Sequence, residues 1–146
     1  MANINDITNA MNEVRTSIDR VMNVSKYMEY DDLSDINIDY TDADQLLLVD
    51  EYRSILEKLE SVNIRMKYLE LPIKEVSTLH LNASGRYETE NGYSYTSGNI
   101  IEYLVSDDYH DYPYWSISRV EHNGNDYYIV YDKELSMSRL KVRVRK

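Results

Sequence analysis

The chain has 146 residues, no cysteine, and 26 acidic against 16 basic residues, which gives a formal net charge of −10. The lack of cysteine excludes a disulfide framework, a cysteine-ligated zinc site and a thiol nucleophile. The negative charge argues against free nucleic acid or an anionic membrane as the main ligand. No apolar run reaches the roughly 18 residues of a membrane-spanning helix, and the first residues lack the basic and apolar regions of a secretory signal.

The first predicted element is a long helix over about residues 4–28. Its apolar residues recur at alternating steps of three and four, which is the spacing of an a/d heptad seam with one polar position, Ser25. Asn3 and Asn5 are the candidate N-caps. The first seam consists of Ile4, Ile7, Met11, Val14, Ile18, Val21, Ser25 and Met28.

The second predicted element is another heptad helix, from Thr41 to about Leu71. Thr41 opens an acidic variant of the capping box, and Pro72 stops the helix. Two heptad helices joined by a short linker favour an antiparallel helical hairpin over residues 1–71. Pairing of the same seams between two chains is the alternative, so monomer and homodimer both stay open. The second seam consists of Leu48, Tyr52, Ile55, Leu59, Val62, Met66 and Leu69.

From Ser77 onward the hydrophobic period changes to two, and turn residues separate short runs. The pattern predicts strands at about 77–81, 85–89, 93–96, 99–105, 114–121, 126–132 and 138–145. Asn123-Gly124 is a strong hairpin signal. Short strands without intervening helices favour a small antiparallel β-barrel or curled sheet, SH3-like, over residues 77–146, and therefore an α+β fold. The predicted core residues of this domain are Trp115, Ile117, Ile129, Leu140, Val142 and Val144.

The C-terminal half also carries a series of short motifs. They are Gly85-Arg86-Tyr87-Glu88, Tyr95-Thr96-Ser97-Gly98, Ile101-Glu102, Trp115, Ser118-Arg119-Val120-Glu121-His122 and Leu140-Lys141-Val142-Arg143-Val144-Arg145. Through these motifs residues 79–146 resemble a family of small uncharacterised domains from Gram-positive bacteria, their phages and their conjugative elements. The resemblance implies a mobile-element origin and provides no catalytic motif. We therefore expect a cytoplasmic protein of a bacterial host cell.

Charge is distributed unevenly along the chain. Residues 27–52 carry nine acidic residues and no basic one, whereas residues 1–26 are neutral and residues 53–70 sum to +1. Much of the acidic block lies between the predicted helices and therefore crowds one end of the hairpin. We call residues 29–44 the acidic tip. Its candidate partner-binding residues are Glu29, Tyr30, Asp31, Asp32, Asp35, Asp39, Tyr40, Asp42 and Asp44.

The acidic tip has the charge of a phosphate backbone. Carboxylates at this density would be attracted to the basic groove of a nucleic-acid enzyme. Interleaved apolar and aromatic residues, among them Tyr27, Leu33 and Ile36, would anchor the segment. The alternative is a solvated loop that only aids solubility. Because the tip lacks the glycine and glutamate positions of an EF-hand, we expect no metal there.

A second candidate surface is the segment that we call the tyrosine loop (residues 107–114). Its candidate partner-binding residues are Asp107, Asp108, Tyr109, Asp111, Tyr112 and Tyr114. The last predicted strand forms a third feature, because alternation places its basic residues on one face. They are Arg139, Lys141, Arg143 and Arg145. Two interpretations stay open. These residues form a basic stripe that binds nucleic acid, or their charge protects an edge strand or pairs with acidic neighbours across the sheet.

The sequence gives little support for catalysis. The histidines are His80, His110 and His122, and none has a second histidine at metal-ligand spacing. Nucleophile, phosphate-binding and dinucleotide-binding motifs are missing as well. We therefore expect a protein that is not an enzyme, with no catalytic residue, no metal and no cofactor.

Two functional hypotheses follow from charge and architecture. The first is an acidic, non-enzymatic inhibitor from a phage or mobile element that blocks a host nucleic-acid enzyme, such as a CRISPR nuclease, by DNA mimicry. In size and charge the chain resembles the small acidic phage inhibitors of CRISPR nucleases, which is a likeness of type and not of motif. The second is an accessory nucleic-acid- or protein-binding module of a mobile element. The first predicts a basic protein partner and no direct binding to membrane or nucleic acid.

Overall fold

The computed structural model of the protein describes residues 1–27 and 33–146. It divides into two compact units, Met1–Glu70 and Leu71–Lys146. The first unit contains α1 (Ile4–Ser25) and α2 (Ala43–Glu70), and the second contains an antiparallel sheet. The predicted α+β class is therefore confirmed, with two packed helices before the sheet. Within the described residues, neither helix combines the length and apolar character that crossing a bilayer requires.

Both helices begin at a capping residue. The Asn3 side chain accepts a hydrogen bond from the Asp6 amide, and the Asp6 carboxylate accepts one from the Asn3 amide, each at 3.0 Å. This reciprocal capping box confirms Asn3 as the N-cap of α1. In α2, Asp42 takes the capping role that was predicted for Thr41, because its Oδ1 accepts from the amides of Asp44 and Gln45 at 3.0 and 3.3 Å.

The two helices meet along only part of the predicted heptad seams. They pack through the seam residue Ile18 with Met22 of α1 and Leu56 of α2, which form one buried cluster with Tyr27 and Leu33, and the seam residue Leu59 packs against this cluster. The contact face of α1 therefore runs from Ile18 on the seam to Met22 beside it. As a result, most of the predicted seam residues stay at the surface. Those with more than a third of their surface exposed are Ile4, Ile7, Met11, Val14, Val21, Leu48, Tyr52, Ile55, Val62 and Leu69.

Polar contacts also join the two helices. Asp19 of α1 accepts a hydrogen bond from Nδ2 of the buried Asn63 of α2 at 3.0 Å, and Nζ of Lys67 lies 3.8 Å from the same carboxylate. Arg15 forms an ion pair with Glu70, the last residue of α2. The part of the helix contact away from the acidic tip is therefore polar.

The second unit consists of a five-stranded sheet and a two-stranded hairpin. The sheet has the order β1-β7-β4-β5-β6, all its pairs are antiparallel, and β2 pairs with β3. The strands are β1 (Ile73–Thr78), β2 (His80–Leu81), β3 (Tyr87–Glu88), β4 (Ile100–Val105), β5 (Tyr114–His122), β6 (Tyr127–Ile129) and β7 (Lys141–Arg145). The predicted turn at Asn123-Gly124 is confirmed, because it joins β5 to β6 with His122 opposite Tyr127.

The predicted SH3-like barrel is wrong. In the described chain β1 and β6 form opposite edges of the sheet, and no ladder joins them to close it. The strand predicted at 93–96 is also missing, since only an isolated bridge links Ser94 to Glu88. Tyr95 is nevertheless buried, so this segment contributes to the core as a loop. Alternating apolar residues indicate that one face of the segment is buried, but they do not show that the segment pairs with a neighbouring strand.

The core of the second unit lies on one face of the sheet. Ile129, Leu140, Val142 and Val144 are buried as predicted. Trp115 and Ile117 are only half-buried, which corrects their predicted place in the core. In β5 the buried side chains are Ser118 and Val120, and alternation therefore directs positions 115 and 117 to the opposite face. The main cluster consists of Leu79, Tyr87, Tyr95, Ile101, Tyr103, Val120, Ile129, Met137, Leu140 and Val142.

Candidate partner-binding surfaces

The acidic tip lies in the linker between α1 and α2. Four of its predicted residues lie outside the described part of the chain; they are Glu29, Tyr30, Asp31 and Asp32. Five predicted residues are described, namely Asp35, Asp39, Tyr40, Asp42 and Asp44. Their contacts with the helices decide whether the tip is a fixed surface or a solvated loop.

Apolar residues attach the acidic tip to the helices. Tyr27 and Leu33 are each only 4% exposed and belong to the buried cluster between α1 and α2, and Ile36 packs against it. Tyr40 points the other way and is 74% exposed. The anchors expected from the sequence are therefore present at these three positions, and the acidic groups around them are carried on a segment that packs against the helix pair.

Hydrogen bonds hold the described carboxylates of the acidic tip in place. Oδ1 of Asp39 accepts from the Thr41 amide at 2.9 Å and from the Thr41 hydroxyl at 2.7 Å. These bonds favour the ionised form and lower the pKa of Asp39 below its ordinary value. Asp42 is fixed as the N-cap of α2, and Asp44 lies in the first turn beside the positive end of the helix dipole.

One carboxylate of the acidic tip faces a positive charge. Oδ2 of Asp35 lies 3.1 Å from Nζ of Lys26, and both side chains are about half exposed. An exposed pair of this kind contributes little to stability. It reduces the local charge at one position and leaves the remaining acidic residues of the linker as the dominant charge.

The tyrosine loop joins β4 to β5 and is organised around Asp107. The Asp107 carboxylate accepts hydrogen bonds from the Tyr109 amide at 2.9 Å, from the His110 amide at 3.0 Å and from the Tyr114 hydroxyl at 2.9 Å, and its Oδ1 lies 2.9 Å from His110 Nδ1. The His110 contact, followed by the Tyr114 hydroxyl and the Tyr109 amide, lowers the pKa of Asp107 to about 2. Asp107 is therefore a structural centre of this loop and is less available to a partner than predicted.

The other residues of the tyrosine loop are directed outward. Tyr109 and Tyr112 are 94% and 81% exposed, and Asp108 and Asp111 are exposed beside them. Tyr114 is half-buried, and its ring lies 4.5 Å from the His110 ring between centroids. The loop thus presents two tyrosines and two carboxylates on a fixed support.

Two of the three basic residues of β7, Arg143 and Arg145, are engaged within the sheet. Arg143 Nη2 lies 2.8 Å from Glu102 Oε1, and Arg145 Nε lies 2.9 Å from Glu102 Oε2. Arg143 also stacks 4.5 Å above the centre of the Trp115 ring. Because Glu102 is only 2% exposed, this is a nearly buried Arg–Glu–Arg network. Burial raises the pKa of Glu102, but hydrogen bonds from Arg145 and Arg143 outweigh it and hold the pKa below its ordinary value.

Two predictions about the basic strand are settled by this network. The strand is not an edge, since β7 lies between β1 and β4. Pairing with an acidic neighbour across the sheet is confirmed for Arg143 and Arg145. Arg139 precedes the strand in the left-handed region with φ of 62°, so it does not continue the alternating face. A four-residue basic stripe is therefore not formed.

The second unit also has a recognisable sequence relationship. Residues 77–144 match the family described as Domain of unknown function (DUF5348). No curated protein and no solved structure matches the chain. The matched region extends from the end of β1 to β7 and covers a little under half of the chain. It agrees with the resemblance of the C-terminal half to an uncharacterised domain, and it does not extend to the helical unit.

The histidines of the DUF5348 region have structural contacts. His80 Nε2 lies 3.7 Å from Glu88, His122 Nδ1 accepts from the Gly124 amide at 3.1 Å, and His110 contacts Asp107. Over residues 1–27 and 33–146, no group of three or more histidine and acidic side chains is arranged to hold a metal ion.

Two features of the structure were not predicted from the sequence. One is the network around Glu102, whose only sequence signal is a single acidic residue in an apolar strand, Ile101-Glu102-Tyr103. The other is the exposed state of both heptad seams. The seam pattern is visible in the sequence, but a heptad repeat does not show whether the same chain or another chain packs against it.

Proposed function

We propose that the protein is a non-enzymatic inhibitor from a phage or mobile element that binds a basic nucleic-acid enzyme of the bacterial host through its acidic tip. The observation that carries the proposal is the attachment of the tip. Tyr27 and Leu33 are buried against the helices, while Asp35 and Asp39 remain at the surface. A linker that served only solubility would have no need of buried anchors.

Preorganisation of the acidic tip supports binding. A segment that is already ordered loses less conformational freedom when it meets a partner. The bonds from Thr41 to Asp39, and the capping role of Asp42, fix two carboxylates before any partner arrives. The exposed Tyr40 can act as an aromatic anchor, which adds a specific contact to an otherwise electrostatic surface.

Charge supports the class of partner. Residues 27–52 carry nine acidic residues and no basic residue. An enzyme that holds nucleic acid in a positively charged channel presents the complementary surface. A CRISPR nuclease is our first candidate for this reason, and DNA mimicry is the mechanism that we propose.

A second candidate function is an accessory protein-binding module that acts through the tyrosine loop. The exposed Tyr109 and Tyr112 on the loop fixed by Asp107 favour it, since tyrosine is enriched at binding hot spots. Direct nucleic-acid binding by β7 has less support, because Arg143 and Arg145 already pair with Glu102.

A competition experiment tests the proposed function. Purified CRISPR nucleases from low-GC Gram-positive bacteria, each loaded with guide RNA, are passed over the immobilised protein with and without target DNA. We expect at least one nuclease to bind, target DNA to displace it, and affinity to fall as salt rises. Labelled DNA alone should not bind the protein.

The outcomes separate the two functions. A protein that binds labelled DNA directly, or a nuclease complex that DNA does not displace, contradicts DNA mimicry. In the other outcome, a nuclease is released when Tyr109 and Tyr112 are changed to Ser but stays bound when the acidic tip is neutralised. This result assigns the function to the tyrosine loop.

A further inference from the structure

The helical unit leaves a continuous apolar groove along one side of the helix pair. One cavity of about 280 Å³ is lined by Val21, Leu33, Tyr52, Ile55 and neighbouring side chains. A second cavity of about 550 Å³ continues along α1 from Ala10 to Val21. The two cavities share Val21 and Leu59, so they form one groove.

We propose that a second copy of the chain covers this groove, so that the helical units form a homodimer. The groove runs beside the buried helix contact and is lined in part by exposed seam residues. Val14 and Val21 of α1 and Tyr52 and Ile55 of α2 all lie on it, and each is at least 39% exposed.

The heptad spacing indicates that the occupant of the groove is a helix. Alternating steps of three and four, kept through seven positions from Ile4 to Ser25 in α1 and seven in α2, fit knobs-into-holes packing against another helix. Because both helices carry the same kind of seam, the surface is complementary to itself. A two-fold dimer requires this property, since the same patch serves on both subunits.

Charge also favours a second copy. The chain as a whole carries −10, but α1, with two basic and three acidic residues, carries only −1, and α2, with four basic and six acidic residues, carries only −2. Two copies can therefore approach along these helices without a large like-charge repulsion. The described acidic residues between the helices, Asp35, Asp39 and Asp42, follow the last turn of α1 and precede the first turn of α2, on the segment whose Leu33 and Ile36 line one end of the groove.

The exposed apolar area of the two seams is close to what a stable interface buries. Aromatic side chains bury about 150–250 Å² each, and we take the lower value for the aliphatic residues that make up most of the seams. Ten seam residues are between 39% and 73% exposed, and four of them line the groove. The seams together, rather than the groove alone, therefore present roughly 700 Å² per chain, against the ~800 Å² per partner of a standard interface.

The start of α1 offers a further place for the second copy. The helices are antiparallel, and Arg15 already reaches Glu70, where α2 ends. Ile4 and Ile7 therefore lie beyond the end of α2 and are 73% and 51% exposed. These two seam positions have no counterpart on α2, and a second copy can complete the seam there.

Sedimentation equilibrium on the full chain tests the proposal. We expect a species of twice the 17.3 kDa chain mass, with a dissociation constant below about 100 µM. Val14→Glu and Ile55→Glu place charges in the groove and should weaken association by about 100-fold or more. Val24→Glu and Ile64→Glu are matched controls, because both residues are exposed and lie off the seams, and they should leave the dimer unchanged.

A second measurement distinguishes loss of association from misfolding of a variant. The chain has no cysteine, so Ser61→Cys chains can be labelled separately with a donor and an acceptor dye. Energy transfer should appear on mixing and disappear with unlabelled wild-type chain in excess. Circular dichroism confirms that each variant keeps its helices.

Several results would overturn the dimer. One is a monomer at about 100 µM, and another is equal weakening by groove and control variants. A third is a monomer whose groove variants lose a different protein partner, which would assign the groove to that partner. Changing acidic-tip residues to Asn should not dissociate the dimer, so failure of the tip proposal is distinguishable from failure of this one.

Discussion

At the residue scale, Glu102 is the acidic side chain whose charge the second unit buries. It is nearly buried and pairs with two arginines, one of which covers Trp115. Removing one partner of a buried ion pair leaves an uncompensated charge, which is far more damaging than losing an exposed pair.

We predict that Glu102→Gln destabilises the second unit by about 3 kcal/mol or more. Glu121→Gln is the control, since Glu121 pairs with an arginine that is 62% exposed, and the expected change is about 0.2–1 kcal/mol. Trp115 is the only tryptophan and lies in β5, so its fluorescence reports denaturant unfolding of this unit alone. Equal unfolding midpoints for the two variants would contradict the structural role that we assign to Glu102.

The pH dependence of the same network has a defined sign. The pKa of Glu102 is lowered in the folded protein, so its contribution is present above the unfolded pKa and is lost as pH falls toward the folded pKa. The Glu102→Gln variant should therefore lose less stability than wild type when the pH is lowered through the carboxyl range. A parallel loss in both proteins would show that Glu102 is not responsible.

The tyrosine loop provides a second prediction at the residue scale. The pKa of Asp107 is lowered from 3.8 to about 2, so its bonds persist below the ordinary carboxyl range and are lost only as pH approaches the lower value. The amide NMR shifts of Tyr109 and His110 should titrate with a midpoint near that lower value. Asp107→Asn should abolish this titration and Asp108→Asn should not. A midpoint at the ordinary value would contradict the contacts.

At the element scale, the start of α2 distinguishes two capping residues. We predict that Asp42→Ala lowers the stability of the helical unit by about 1 kcal/mol, because two helix amides lose their acceptor. Asp42→Asn should be nearly neutral. Thr41→Ala removes only an exposed bond to Asp39 and should have the smaller effect. Circular dichroism during unfolding measures all three, and a larger effect at Thr41 would restore the cap predicted from the sequence.

The interface of the helices gives a second prediction at this scale. Leu56 is 4% exposed, whereas Leu59 is half-buried at the edge of the groove. Leu56→Asp buries an unpaired charge and should destabilise the helical unit by several kcal/mol. Leu59→Asp should destabilise it less and should weaken dimerisation as well. Equal losses of stability would mean that the seam itself is the core of the hairpin.

Sequence alone predicts the elements better than their partners. Period and turn residues located both helices and the hairpin at Asn123-Gly124, because these signals are local. The barrel was wrong because strand order depends on contacts that are distant in sequence, such as β7 with β1 and β4. The heptad seams were recognised, but the helix contact buries only part of them, with Ile18 in the cluster and most other seam positions exposed.

For the candidate sites, too, the sequence locates the segments better than it locates the contacts of their residues. Charge counting located the acidic tip, and tyrosine content located the loop before β5. Composition could not show that Asp107 is used within its own loop while Tyr109 and Tyr112 are not. It also could not show that Arg143 and Arg145 meet one glutamate, because that contact follows from the strand register.

At the scale of the whole molecule, the two units differ in charge and in the kind of surface they present. The helical unit carries the acidic tip and an apolar groove, and the DUF5348 region carries the tyrosine loop on a sheet with an internal ion network. We interpret the tip as the binding surface for an enzyme partner and the groove as the contact between copies.

The central claim is tested most directly by inhibition of a CRISPR nuclease that binds the protein, measured with matched charge variants. One variant changes Asp31, Asp32, Asp35 and Asp39 to Asn. The control removes four exposed or half-buried acidic charges elsewhere, by changing Glu57, Glu60, Glu90 and Glu134 to Gln. Both should fold, since surface changes usually alter stability by within about 0.5 kcal/mol each. We predict that the tip variant loses inhibition, mainly through slower association, and that the control retains it. Full inhibition by the tip variant, or an equal loss in the control, would contradict the claim.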